Sequence, residues 1–115
     1  MNTPPSPSER NRRIVPRRML RQAVTIAYGG ASKELQTWDL GRDGMCLLAP
    51  RPIAPGTRCR ISFELPLGDE VLAVSTAAKI VYSSYSAAGE FKIGAVFTDL
   101  AEDAALALGK FAASS

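Results

Sequence analysis

TRCRISFEL, residues 57–65, is the stretch in which apolar and polar side chains alternate most regularly. Its apolar members are Cys59, Ile61, Phe63 and Leu65. Because successive side chains of a β-strand point to opposite faces, a period of two predicts a strand. The stretch therefore predicts one strand that turns an apolar face toward a core and a polar face away from it.

Strand-like stretches lie on both sides of this segment. They are residues 22–28, 33–40, 45–49, 71–82 and 91–97. Glycine, proline and polar residues separate them, at residues 29–30, 41–44, 50–56, 66–69 and 83–90. The phase of residues 33–40 places Asp39 on the face opposite Trp38. About six short strands with turns between them favour a small antiparallel barrel or sandwich.

A helix is predicted after the last strand. Asp99 and Glu102 have the spacing of a capping box, in which two side chains satisfy free backbone N–H groups at a helix start. The apolar residues that follow at helical spacing are Leu100, Ala104, Leu108 and Phe111. This narrow stripe predicts one C-terminal helix packed on the β-domain. The predicted fold class is therefore all-β with one C-terminal helix.

Composition argues against several classes of protein. The 115 residues have room for one small domain. Histidine is absent, and without a nucleophile–base pair or a metal-ligand cluster the sequence indicates no enzyme, no metal and no cofactor. Cys46 and Cys59 lack C-x-x-C spacing, so we expect buried, reduced thiols. The sequence contains no apolar run that could span a membrane and no signal-peptide core, which predicts a cytoplasmic protein.

Positive charge is concentrated near the N-terminus. The net charge of the chain is +3, but residues 1–21 hold six arginines and one glutamate, a net charge of +5. The remaining residues hold eight basic and ten acidic side chains, a net charge of −2. Residues 1–9, rich in proline and serine, predict a disordered leader, and Pro16 favours an extended or looping arm at residues 10–21. A local cluster of this kind indicates a discrete anionic partner.

Two short motifs could hold such a partner. Arg13 and Arg17 are four residues apart, and so are Arg17 and Arg21. Some twenty residues further on, the acidic turn DLGRDG begins at Asp39. Arginine forks match phosphate and the O6/N7 edge of guanine, while a carboxylate accepts from the N1 and N2 donors on the other edge. Together the motifs predict a clamp for an anionic ligand that carries guanine.

This pair of motifs resembles the signature of the PilZ domain, a bacterial receptor module for cyclic di-GMP. That signature reads R-x-x-x-R followed by [D/N]-x-S-x-x-G; here RIVPR spans residues 13–17, and DLGRDG spans 39–44 with Gly41 at the serine position. The likeness continues, in the order of the family, through GMCLL, PGT, ISFELP and IGAVF. It implies a six-stranded antiparallel β-barrel with a helix over residues 22–113, and a ligand-binding arm at residues 10–21.

The resemblance also implies the residues of a cyclic di-GMP site. They are Arg12, Arg13, Arg17, Arg21, Asp39, Gly41 and Gly44. Arg17 belongs to both possible registers of the arginine pair, with Arg13 or with Arg21. Gly44 is expected to adopt a positive φ. Gly41 cannot donate the hydrogen bond of a serine, which should cost about 0.5–1.5 kcal/mol of binding.

By the same resemblance the chain is a non-enzymatic receptor or adaptor, with roles in motility or biofilm control. Its arm would become ordered over the barrel on ligand capture and so change the binding of an unidentified effector protein. Two alternatives stay open. One is a PilZ-fold interaction module that has lost ligand binding through Gly41. The other is a small nucleic-acid-binding barrel, against which the lack of aromatic interleaving in the sheet argues.

Overall fold

The computed structural model describes residues 16–114, so Arg12, Arg13 and the predicted leader lie outside the described residues. Residues 16–114 form seven strands and one helix. These are β1 (Arg17–Met19), β2 (Ala23–Tyr28), β3 (Ala31–Gly41), β4 (Gly44–Ala49), β5 (Arg58–Leu67), β6 (Glu70–Ala87), β7 (Glu90–Phe97) and α1 (Glu102–Ala113).

Six of the strands close into a ring. β2 pairs with β3, β3 with β4, β4 with β7, β7 with β6, β6 with β5, and β5 again with β2, all antiparallel. β1 is a short addition that pairs with the second half of β3, from Arg17 opposite Gly41 to Met19 opposite Asp39. The predicted six-stranded antiparallel barrel with a C-terminal helix is confirmed.

The core lies inside this ring. All four apolar residues of the alternating stretch in β5 are buried, with Ile61 and Leu65 fully so, as their period of two predicted. α1 packs on β3, β1 and β5. Its residues Ala104, Leu108 and Phe111 are buried, which confirms most of the predicted stripe. Both cysteines are buried and free, also as predicted.

The two long hairpins have tighter turns than predicted. β6 continues to Ala87, so most of the expected polar loop at residues 83–90 is strand, and Tyr85 packs edge-on against Phe91 with ring centroids 5.8 Å apart. β5 likewise runs to Leu67. The turns contain Gly68 and Gly89, both with positive φ, which glycine adopts without a steric cost. The polar composition of residues 83–90 predicts a loop, but pairing between β6 and β7 keeps most of these residues in a strand.

The predicted capping box at Asp99 was wrong. α1 begins at Glu102, its N-cap residue is Ala101, and the N-cap makes no side-chain hydrogen bond to the helix. Instead the Asp103 carboxylate accepts a 2.8 Å hydrogen bond from the backbone N–H of Ala104. Glu102 and Asp103 thus place negative charge in the first turn, where the helix dipole favours it.

The prediction of a positive φ at Gly44 was also wrong, because the glycines with positive φ do not include it. Gly44 is buried where β4 pairs with β7, opposite Val96, and a Cβ there would lie far inside contact distance of the Ala95 carbonyl oxygen. The position therefore needs glycine for close approach of two strands, a packing requirement of the barrel.

Candidate functional site

A β-bulge sets the geometry of the candidate site. In the pairing of β3 with β4, Thr37 lies opposite Leu47 and Asp39 lies opposite Cys46, so Trp38 is the extra residue. Thr37 and Leu40 on either side are fully buried. Trp38 and Asp39 are both half-exposed on the outer surface, and the prediction that they face opposite ways was wrong.

β1 brings Arg17 to this surface. The Arg17 Nη1 atom lies 2.9 Å from Asp39 Oδ1, and Nη2 lies 3.5 Å from Asp43 Oδ1. Burial alone would lower the pKa of Arg17, but the hydrogen bond to Asp39 and the charges of both carboxylates raise it above its ordinary value. The guanidinium therefore stays charged and is held at two points. The predicted arginine motif and acidic turn meet through this residue.

Gly41 lies beneath Arg17. A Cβ at this position would be 2.9 Å from the Pro16 carbonyl oxygen, 3.1 Å from Arg17 Cγ and 3.2 Å from Asp43 Oδ1. The glycine at the serine position of the motif thus allows β1 to pack closely on the end of β3. A larger residue would require the backbone at Pro16 to move.

Arg21, the other predicted arginine within the described residues, contacts Trp38. Its guanidinium carbon lies 4.3 Å from the centroid of the indole ring, and Lys92 Nζ lies 4.4 Å from the same centroid. Each contact of this kind contributes about 0.5–1 kcal/mol at an exposed site. We refer to the surface formed by Arg17, Arg21, Trp38, Asp39, Tyr82 and Lys92 as the arginine face.

Tyr82 reaches the arginine face from β6. One row of paired residues crosses the barrel wall: Met19, Asp39, Cys46, Gly94 and Tyr82. Directly paired residues of antiparallel strands point to the same side of a sheet. The Tyr82 hydroxyl donates a hydrogen bond to Cys46 Sγ, 3.6 Å away.

The Tyr82 hydroxyl and the Cys46 thiol are both neutral at neutral pH. Burial and the contact with Cys46 raise the pKa of Tyr82 to about 12. Burial also raises the pKa of the Cys46 thiol. Sequence reasoning missed Tyr82, since only the strand register brings it into line with Asp39.

Arg18 links β1 to the helix. It pairs with Leu40 and so faces away from the arginine face, toward α1. Its guanidinium carbon lies 4.4 Å from the centroid of the Phe111 ring, and Nη1 donates a 3.4 Å hydrogen bond to the Phe111 carbonyl oxygen. Neighbouring arginines of β1 therefore contact the acidic turn and the C-terminal helix.

A cleft elsewhere on the barrel differs in its chemistry. It encloses about 590 Å³ where β2 and β5 separate, and its lining includes Gln22, Thr25, Glu34 and Glu64. The Gln22 side chain crosses it to donate a hydrogen bond to the Glu64 carbonyl oxygen. The ionised side chains that line this cleft are acidic, and it contains none of the predicted site residues.

Residues 16–114 contain neither a membrane-spanning helix nor a metal-binding cluster. The helix of this part of the chain is too short to cross a membrane. The same residues contain no group of three histidine, cysteine or acidic side chains placed to hold a metal ion.

Comparisons with known proteins agree with the fold. The family model of the PilZ domain matches residues 11–114. The inhibitor of motility MotI/DgrA of Bacillus subtilis superposes with a TM-score of 0.79 and 15% identity, over 89% of this chain and 50% of that one. The PlzA protein of Borreliella burgdorferi, solved in complex with c-di-GMP, superposes with a TM-score of 0.63 and 16% identity, over 91% of this chain and 43% of that one. The chain thus spans half or less of these structures' length. No curated protein matches it in sequence.

Proposed function

Since this chain belongs to the PilZ domain family, we propose that it is a non-enzymatic receptor for cyclic di-GMP. The observation that carries the proposal is the 2.9 Å ion pair between Arg17 and Asp39. It joins the two halves of the motif, which are separated by 22 positions in sequence, on one outer surface. Basic groups for phosphate and a carboxylate for guanine are therefore available side by side.

Each group has a role that its chemistry supports. The Arg17 fork is held by two carboxylates and is suited to bidentate contact with phosphate or with the O6/N7 edge of guanine. Asp39 uses one oxygen for Arg17, and a carboxylate has about four acceptor sites, which leaves capacity for the N1–H and N2–H donors of a guanine. Arg21 and Lys92 add positive charge beside Trp38. Arg12 and Arg13, outside the described residues, would complete the clamp.

Ligand capture would also change the surface offered to an effector protein. β1 has three residues and holds Arg17 on one side and Arg18 on the other. A ligand phosphate would compete with Asp39 and Asp43 for Arg17. Because Arg18 contacts Phe111, a shift of β1 would reach the C-terminal end of α1. A short strand with few buried contacts is the kind of element that moves in such switches.

Calorimetric titration with cyclic di-GMP at physiological salt tests the proposal. We expect micromolar or tighter binding by the parent and its loss in both Arg17→Ala and Asp39→Ala. Arg60→Ala is the matched control, because Arg60 lies on β5 and contacts Ser75, 3.2 Å away, rather than the arginine face. Its affinity should equal that of the parent.

Other results of the same titration would overturn the proposal. A parent protein that gives no heat with any guanine nucleotide is not a receptor for this ligand. Oligonucleotide binding that falls steeply with salt and is equal in Asp39→Ala would favour a nucleic-acid-binding barrel instead.

An interaction module without a ligand is the second candidate, and Gly41 favours it. Glycine lacks the hydroxyl that the family motif carries, and one neutral hydrogen bond is worth about 0.5–1.5 kcal/mol, up to about tenfold in affinity. That loss weakens binding without removing the charged contacts of Arg17 and Asp39. The receptor reading is therefore the better supported, and absence of binding by the parent would select the module.

A further inference from the structure

We propose that Tyr82 is a stacking platform for one guanine base of the ligand. The inference rests on the proposed function and adds to it a specificity-determining residue outside both motif halves. Its basis is the way that the phenol ring lies on the barrel wall, in the same cross-strand row as Asp39.

The ring of Tyr82 lies face-down on Gly94. A Cβ at position 94 would come closest to Cε2 of the Tyr82 ring. It would be nearly equidistant from Cδ2 and Cζ, the two ring atoms bonded to Cε2, with Cζ at 2.6 Å. Those are the distances of a point above the ring plane at Cε2 and not of a point beyond the ring edge. One face of the ring therefore covers the Gly94 backbone, and the opposite face points away from the barrel.

The ring is held in this orientation and remains accessible. Its hydroxyl donates to Cys46 Sγ, 3.6 Å away, so the side chain is fixed at the ring and at its tip. Tyr82 nevertheless keeps 45% of its surface exposed. A flat aromatic ring that is already ordered loses little conformational entropy when a base stacks on it. The neutral phenol also adds no charge that would repel the phosphates.

The position of the ring suits a base that Asp39 also contacts. Asp39, Cys46 and Gly94 lie opposite one another on three successive strands, which are about 4.8 Å apart. The Tyr82 ring lies over Gly94 and its hydroxyl contacts Cys46. The hydroxyl end of the ring is therefore about one strand spacing away from the strand that carries Asp39. A guanine stacked on the ring would present its N1 and N2 donors toward that carboxylate.

Trp38 is the other aromatic residue of the arginine face, but it is less suited to this role. Arg21 and Lys92 both lie over its ring, at 4.3 and 4.4 Å from the centroid. A base would have to displace a cation to stack there. Trp38 instead holds two positive charges beside the site.

Titration of Tyr82 variants with cyclic di-GMP tests the inference. Loss of a base–aromatic stack costs about 1–3 kcal/mol, so Tyr82→Leu should bind about 5- to 150-fold more weakly than the parent. Tyr82→Phe keeps the ring and should stay within about threefold. Tyr85→Leu is the matched control, since Tyr85 lies on the same strand, is 68% exposed and falls outside the row. It should bind like the parent.

The outcomes separate the platform from the receptor assignment. If the parent binds and folded Tyr82→Leu binds equally well, the platform is wrong and the receptor stands. If the parent does not bind, both are wrong. If Tyr82→Leu fails to fold, nuclear Overhauser contacts between Tyr82 ring protons and guanine H8 in the parent complex decide the matter. Their presence supports the platform, and their absence in a saturated complex overturns it.

Discussion

The arginine face and the cleft between β2 and β5 are two surfaces of one barrel wall with opposite chemistry. The cleft encloses about 590 Å³ but is lined by Glu34 and Glu64. The arginine face carries Arg17 in a two-point contact with Asp39 and Asp43. A ligand with two phosphates is attracted by the arginine face and repelled by the cleft. Cavity volume alone would therefore favour the cleft, whereas charge and hydrogen-bonding capacity favour the proposed site at the motif.

The largest expected effect concerns Arg17. Truncating one partner of a hydrogen-bonded charge pair that is buried in a complex costs about 2–5 kcal/mol of binding, so Arg17→Ala should weaken cyclic di-GMP binding by about 30-fold to several-thousandfold. Arg17→Lys sharpens the test, because lysine keeps the charge but loses the planar fork. We expect Arg17→Lys to fall between the parent and Arg17→Ala. A lysine variant as tight as the parent would contradict bidentate recognition and leave only charge attraction.

The second effect comes from Gly94, which is not among the residues that the resemblance implies for the ligand site. In Gly94→Ala the new methyl group would occupy the position of the Tyr82 ring, so the ring must swing into solvent. Affinity should fall about as far as in Tyr82→Leu, some 5- to 150-fold. Stability should fall by only about 1 kcal/mol, since the displaced ring is already 45% exposed. Urea denaturation and calorimetry on one preparation measure both quantities.

Gly109→Ala is the matched control for this substitution. A Cβ at Gly109 would meet only Arg42 Cδ, at an ordinary 3.7 Å, and glycine within a helix is replaced by alanine with a gain of about 0.5–1 kcal/mol. Stability should therefore rise while affinity is unchanged. If the affinity of Gly94→Ala for cyclic di-GMP is also unchanged, the Tyr82 ring has no part in binding.

The sequence predicted those features that depend on local periodicity or on residue type. The alternation of Ile61, Phe63 and Leu65 predicted β5, and the spacing of Leu108 and Phe111 predicted the buried side of α1. Features that depend on register between distant strands were not predictable. A one-residue shift moves every later side chain of a strand to the other face, so the bulge at Trp38 places Asp39 on the outer surface although Thr37, two residues earlier, is buried.

The glycines illustrate the same limit. Neither Gly44 nor Gly94 has room for a side chain. The Ala95 carbonyl oxygen lies directly over Gly44, and the Tyr82 ring lies directly over Gly94. From the sequence, a glycine beside a turn is most simply predicted to have a positive φ, and Gly44 is such a glycine. Only the pairing of β4 with β7 and of β7 with β6 distinguishes close packing from turn geometry.

A smaller effect is expected at the position where the chain departs from the family motif. Gly41→Ser restores the hydroxyl, but its Cβ would lie 2.9 Å from the Pro16 carbonyl oxygen, so β1 must shift and stability should fall by about 1 kcal/mol. The hydroxyl and the displaced Arg17 act in opposite directions, and the net change in affinity should stay below about tenfold. Gly41→Ala has the same steric cost without the hydroxyl, so the ratio of the two affinities isolates the hydrogen bond. Equal stability of Gly41→Ser and the parent would contradict the close packing of β1 on β3.

The smallest effect should come from the cleft, and it separates geometry from net charge. Glu34→Gln with Glu64→Gln removes two negative charges and keeps the hydrogen bond that Gln22 donates to the Glu64 backbone. At physiological salt, exposed charges beyond about 8 Å are largely screened, so affinity should change by less than about twofold, toward tighter binding. Asp39→Asn removes one negative charge from the arginine face. It should weaken binding by about tenfold or more, because a charge-assisted hydrogen bond becomes a neutral one and Arg17 loses its closest partner. Opposite signs for the same chemical change at two places would mean that position governs ligand capture. A gain in affinity from Asp39→Asn as well would mean that net charge does, and it would remove Asp39 from the guanine site.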